Sequence, residues 1–195
     1  MLFRSLMSVG VKQFAILADD ASVPSQGAQC YVRLMTDLTE WLIEKQATVP
    51  GLKADTIFCP NDYMGYGSSS QMQTLKQLPD SVSIIQTGGR VWGEVGPSFN
   101  DRFYQNMGRP AYMWINWPCS DNTKDGLIMG GAEAVLKPNV DPSTVEGIVL
   151  NPMQQSEPSK EALFTNADYA WNIWEDASKY DQVWQIGRAS CRERV

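Results

Sequence analysis

The chain of 195 residues contains no histidine. That absence excludes Ser-His-Asp and Cys-His catalysis within the chain, and the usual zinc ligand sets with it, so acid–base work must fall to carboxylates, tyrosine or lysine. Cysteine is scarce too: the 4 present have no CxxC spacing, and make neither a disulfide framework nor a zinc site. Cys30, Cys59 and Cys119 read as buried thiols, while Cys191 lies in an anomalous tail. No apolar run approaches the roughly 18 residues of a membrane span. Met1 to Gly10 lacks the charged start and long apolar centre of a signal peptide. Neither a dinucleotide-binding GxGxxG nor a P-loop motif follows any candidate strand.

Basic residues are the minority, 16 against 22 acidic, for a net charge of −6. Three of the arginines crowd into Ile186 to Val195, which has no apolar period and reads like the translation of a short sequencing adapter. Set aside as non-native, it leaves 1–185 still more acidic, which disfavours nucleic acid or an anionic membrane as partner. No cofactor and no metal are implied.

What is present suits one sizeable core: 43% hydrophobic and 19% charged residues are ordinary for a globular domain. The most informative stretch runs from Gln13 to Ser22, an apolar segment that ends in two adjacent carboxylates, Asp19 and Asp20. Phe14 to Ala18 suits a strand buried on both faces, as in a parallel sheet covered by helices. The two acids either open the next loop or cap a helix, or they form a working pair. Two carboxyls this close cannot both carry charge cheaply, so such a pair supplies one acid and one anion at the same pH, the division of labour of glycoside hydrolysis.

Leu2, Phe3, Leu6 and Met7 have helical spacing, and Gly10 sits where a helix-ending glycine belongs. Cys30, Tyr31, Leu34, Met35, Leu38, Trp41 and Leu42 recur at steps of three and four, predicting an amphipathic helix over the sheet. Strands are expected at 13–19, 56–60, 82–86, 111–117 and 145–150. Helical segments are expected at 71–78, 98–107 and 162–174, the last with Ser156 as candidate N-cap. Alternating strands and helices argue for parallel βα units. Each strand releases its polar residues at its C-terminal end, which favours a (β/α)8 barrel over an open doubly wound sheet.

Five motifs stand in register: Asp19-Asp20; Cys59-Pro60-Asn61-Asp62-Tyr63; Gln86-Thr87-Gly88 with Val91; Trp114-x-Asn116 followed by Asp121; and Leu150-Asn151-Pro152. Their order and approximate spacing resemble those of family 84 glycoside hydrolases, the O-GlcNAcase and bacterial hyaluronidase-like β-N-acetylglucosaminidases. The likeness runs from about Leu2 to Trp184 and includes Ala167-Asp168-Tyr169-Ala170-Trp171-Asn172.

The resemblance implies a retaining, substrate-assisted reaction on an N-acetylglucosamine-containing glycan or glycoprotein, and a secreted or cell-surface setting in a bacterium. By the family pattern Asp19 polarises the acetamido N–H and Asp20 is the acid–base. Tyr63 donates to the acetamido group, and Thr87, Val91 and Trp114 shape the pocket around its methyl. Asn116 supports the acid–base carboxyl, and Asp121 and Asn151 bind sugar hydroxyls. Taken singly, Trp114 and Val91 read as readily as core, Tyr63 and Asn116 as loop hydrogen bonders, and Asp121 as a turn residue. Their joint placement after successive strands carries the functional reading.

Family members have about three more βα units before the aspartate strand. Residues 1–185 are therefore expected to be the C-terminal part of an α/β, (β/α)8 catalytic barrel with the start of the following helical region, and 186–195 to be the adapter. Expressed alone, such a piece is expected to aggregate or stay partly folded and to lack hydrolase activity. Two other readings stay open: a non-hydrolytic carbohydrate-binding barrel, and an unrelated acidic α/β domain without a sugar site.

Overall fold

The computed structural model describes residues 2–25, 27–121, 126–127, 132–176 and 178–183; the suspected adapter and Cys191 lie outside them. The chain divides into two compact units, one made of residues up to Tyr63 with Ser68–Ile85, the other of Met64–Gly67 with the chain from Gln86 onward.

The first unit follows the expected alternation: α1 (Leu2–Ser8), β1 (Phe14–Leu17), α2 (Gln29–Gln46), β2 (Thr56–Cys59), α3 (Ser70–Leu75) and β3 (Val82–Gln86), whose last residue belongs to the second unit. β1 pairs parallel with β2, Phe14 opposite Thr56 and Leu17 opposite Cys59, and β2 pairs parallel with β3, Phe58 opposite Ile84. Helices cover one face of these strands. The Phe3 ring stands edge-on to Phe14 at 5.1 Å, and Tyr31 of α2 lies 5.1 Å from the fully buried Phe58.

The other face of β1 corrects the expectation of a doubly buried strand. Ala15 is exposed and Leu17 is 52% exposed, because α1 and α2 pack on the Phe14 side and nothing among the described residues of the unit covers the opposite side. The stripe of α2 is likewise rotated from the expected one. Its buried residues are Tyr31, Val32, Met35, Leu38, Thr39 and Leu42, while Leu34 faces out. Of the thiols, Cys59 and Cys119 are buried and Cys30 is half-buried.

The second unit holds α4 (Pro97–Met107), β4 (Ala111–Ile115), two short 3-10 turns, β5 (Val145–Leu150) and α5 (Ser156–Trp171). Pro97 opens α4, and left-handed Gly108 closes it. β4 and β5 pair in parallel, with Trp114 opposite Val149 and Ile115 opposite Leu150. The N-cap of α5 is Gln155, not Ser156, which is already the first helical residue. The helix also ends earlier than its apolar residues suggest. It buries Ala162, Thr165, Asn166 and Tyr169, a small and polar face that hydropathy underweights, and leaves Trp171 92% exposed. The Tyr169 hydroxyl donates to the Lys137 carbonyl at 2.6 Å, and the Trp174 indole N–H donates to Asp168 at 2.9 Å. No helix among the described residues is long and apolar enough to cross a membrane.

Phe58 is the centre of the first unit's helix-covered layer. Phe58→Ala is expected to lower stability by about 3–5 kcal/mol. A urea titration of the full-length protein checks this: the midpoint of the transition that unfolds this unit should fall with an unchanged slope.

Candidate active site

In the first unit the catalytic candidates stand where parallel pairing brings two strand ends together. Beyond the last pair of the ladder, the Ala18 N–H donates to the Cys59 carbonyl at 2.8 Å. The chain then turns: the Ala21 N–H bonds the Ala18 carbonyl at 3.2 Å, which makes Asp19 and Asp20 the two central residues of a four-residue turn. Asp19 is half-buried and Asp20 exposed, so both carboxyls are carried at the strand's C-terminal edge by the backbone rather than by packing.

The loop after β2 is tethered from its far side. The Asp62 N–H donates to the Gln71 side chain at 2.9 Å, and the Asp62 carboxylate accepts from the Ser69 hydroxyl, which itself caps α3 by accepting from the Met72 N–H at 3.2 Å. Tyr63 follows, half-buried. Burial, and then the charges of Asp20 and Asp19, push its phenol above the ordinary tyrosine range. Burial first, followed by the same two aspartates, pushes the Cys59 thiol up to about 12. Asp19, Asp20, Cys59 and Tyr63 thus share one electrostatic environment. At neutral pH it holds a neutral phenol that can donate and a thiol too weakly acidic to act as a nucleophile.

In the second unit a continuous hydrogen-bond network joins four of the other candidates. The Trp114 indole N–H donates to Asn116 Oδ1 at 2.9 Å, and Asn151 Nδ2 donates to the same oxygen at 2.8 Å. Asn116 Nδ2 donates to the Val91 carbonyl at 2.7 Å. The network rests on strand pairing, since the Asn151 N–H bonds the Ile115 carbonyl at 2.9 Å. Thr87 is buried and turns its hydroxyl onto the Arg90 carbonyl at 2.7 Å.

The segment from Thr87 to Glu94 doubles back so tightly that only glycine fits at two places. A Cβ on Gly88, where φ is +92°, would stand 2.2 Å from the Glu94 carbonyl oxygen, and one on Gly93 would stand 2.0 Å from the Thr87 carbonyl oxygen. This fold-back fixes where the Val91 carbonyl points. Asp121 is outside the network. It lines, with Asn151, Ser120, Gln154 and Gln155, a cavity of about 620 Å³ in the same unit, of a size and polarity suited to a hydrophilic ligand.

The sequence offered little sign of three features. Cys59 stands inside a quoted motif, but its coupling to the aspartates depends on the pairing of β1 with β2. Asn116 as a hub depends on the loop at Val91. The contacts of Asn61 depend on both β1 and α2.

A family model described as beta-N-acetylglucosaminidase matches residues 2–193. Among solved structures, CpGH84D superposes with a TM-score of 0.83 at 35% identity over 97% of this chain. CpGH84B does so at 0.79 and 23% over 95%, and a mutant of the Thermobaculum terrenum O-GlcNAc hydrolase at 0.73 and 24% over 97%. The last two share the fold. The chain spans 30%, 33% and 42% of the lengths of these three.

The raised thiol of Cys59 has a testable sign. Below its ordinary value of 9.0 the thiol is neutral in folded and unfolded chain alike; from there to about 12 only the unfolded chain ionises, so stability falls across that window. Cys59→Ala should flatten that fall, as read by unfolding of the full-length protein at a series of pH values. At pH 8, iodoacetamide should label Cys30 in the native protein and leave Cys59 unlabelled until denaturation, as peptide mass spectrometry would record.

Proposed function

Because this chain belongs to the β-N-acetylglucosaminidase family, the family 84 glycoside hydrolases, we propose that it supplies the C-terminal βα units of a (β/α)8 catalytic barrel, residues 1–185, in an enzyme that releases terminal N-acetylglucosamine from glycans or glycoproteins. The observation that carries the reading is the turn from Ala18 to Ala21. It presents two adjacent carboxyls at the end of a parallel strand, with a neutral phenol, Tyr63, within reach of their charge.

The proposed reaction uses no nucleophile from the protein. The oxygen of the substrate's 2-acetamido group attacks the anomeric carbon as the glycosidic bond breaks, and the departing oxygen takes its proton from the Asp20 carboxyl. Asp19 accepts the acetamido N–H and stabilises the positive charge that develops on the forming oxazoline. Water then attacks the anomeric carbon from the face that the leaving group vacated. Asp20 takes its proton, the oxazoline opens, and the sugar leaves with its configuration retained.

Tyr63, kept protonated, donates to the acetamido oxygen, while Thr87, Val91 and Trp114 shape the space for its methyl. Asn116 has both Oδ1 bonds and one Nδ2 hydrogen engaged, which leaves one amide hydrogen to support a carboxyl. Asp121 and Asn151, lining one polar cavity, bind sugar hydroxyls. The buried, uncharged Cys59 adds no competing nucleophile. By this reading residues 1–185 expressed alone lack activity, because the remaining barrel strands also bind the sugar.

Hydrolysis of aryl N-acetylglucosaminides by the full-length protein tests the reading, and sugar binding without turnover would instead favour a non-hydrolytic barrel. Asp20→Asn is expected to lose activity in proportion to how poor the leaving group is, with alkyl glycosides losing roughly 10²-fold or more and activated aryl glycosides far less. Asp19→Asn should slow even activated substrates. Equal losses of alkyl and aryl glycosides in Asp20→Asn would reject its role as the acid.

A further inference from the structure

The turn that carries the two aspartates is held by a side chain from the neighbouring loop. Asn61 Nδ2 donates to the Ala18 carbonyl at 2.6 Å and to the Ala21 carbonyl at 2.5 Å. Carbonyl oxygens only accept, which fixes the orientation of the amide and turns Oδ1 toward the Tyr31 hydroxyl; that hydroxyl donates to it at 2.7 Å. Tyr31 is itself buried in α2 against Phe58. The two residues flanking Asp19 and Asp20 are therefore tied through one amide to a rigid point under the helix layer.

Little else holds this turn. Asp20, Ala21, Ser22 and Val23 are exposed, and the turn's own closing bond is a long 3.2 Å. A side chain that only fastened the loop would need one bond. Asn61 uses both amide hydrogens on the two ends of the same turn, which fixes its angle about the β1 axis as well as its distance from β2. Angle decides where the Asp20 carboxyl points.

We propose that Asn61, seated on the Tyr31 hydroxyl, is a positioning residue that aims the Asp20 carboxyl at the departing oxygen. The inference rests on the reading of Asp20 as proton donor given above. A misaimed acid penalises only substrates that need protonation, and displacement of a reacting group by about 1 Å costs on the order of 10²-fold.

The test compares Asn61→Ala, Tyr31→Phe and the double variant in the full-length enzyme, with an alkyl and a dinitrophenyl N-acetylglucosaminide. Asn61→Ala should lower kcat/KM for the alkyl glycoside by roughly 10²-fold, mostly in kcat, and leave the dinitrophenyl glycoside nearly unchanged. Tyr31→Phe, which keeps the buried ring, should give a smaller loss of the same selectivity. The double variant should be no worse than Asn61→Ala, since both act through one brace. Equal losses on the two substrates, a change in KM alone, or additive losses would overturn the proposal.

Hydrogen exchange supplies a readout that does not depend on turnover. In Asn61→Ala the Ala21 amide should exchange several-fold faster while the amides of β2 keep their protection, and an unchanged Ala21 amide would overturn the brace. Failure of the wild-type enzyme to hydrolyse either glycoside would count against the functional reading, and the exchange result would still decide the brace.

Discussion

Parallel pairing of β1 with β2 is the constraint on which the carboxylate cluster depends. Because the two strands run the same way, the chain leaves both at one edge, and the segments after Leu17 and after Cys59 emerge side by side. One further ladder bond, from Ala18 to the Cys59 carbonyl, carries the alignment past the strand ends into the turn. Had the strands been antiparallel, Asp19 and Tyr63 would stand at opposite ends of the sheet. The pairing in turn relies on the helix-covered layer of Phe14, Phe58 and Tyr31, so the position of the turn depends on burial in that layer.

The second unit repeats the device with different chemistry. β4 and β5 are also parallel, and again a bond beyond the strands, from Asn151 to the Ile115 carbonyl, starts the segment that carries a candidate residue. Here the organising group is an amide. Asn116 takes two donors on its oxygen and gives one hydrogen to Val91, and a hydrogen-bonded side chain so fully engaged has little freedom to rotate. The doubled-back loop with Gly88 and Gly93 supplies the carbonyl that completes it.

The electrostatics fit a chain that has no histidine. Burial and the neighbouring aspartates hold Cys59 and Tyr63 neutral, so neither adds an anion to the cluster. An oxazoline route asks for nothing more from the protein than one proton donor, one anion and neutral hydrogen-bond donors, because the nucleophile arrives with the substrate. The chain's membership of the β-N-acetylglucosaminidase family is what ties this cluster to sugar chemistry.

The sequence by itself determined the α/β alternation, the approximate ends of all five strands, the family, and the identity of the acidic turn, because these depend on local periodicity, glycine and proline placement, and residue type. It misjudged what depends on which layer covers which face. Phe14 to Ala18 is uniformly apolar, so pattern alone could not show that, among the described residues of this unit, helices cover only the Phe14 side and Leu17 faces out. The buried face of α5 contains Thr165 and Asn166, which hydropathy assigns to solvent, and its N-cap is a glutamine that composition does not favour. Asn61 and Asn116 stood in plain view within two motifs, yet an asparagine has no pattern that announces its partners. Those partners lie 30 to 43 residues from Asn61 and 25 and 35 from Asn116 in its longer-range bonds, so only the tertiary pairing of strands, which brings distant carbonyls and hydroxyls within 3 Å, could decide what each amide holds.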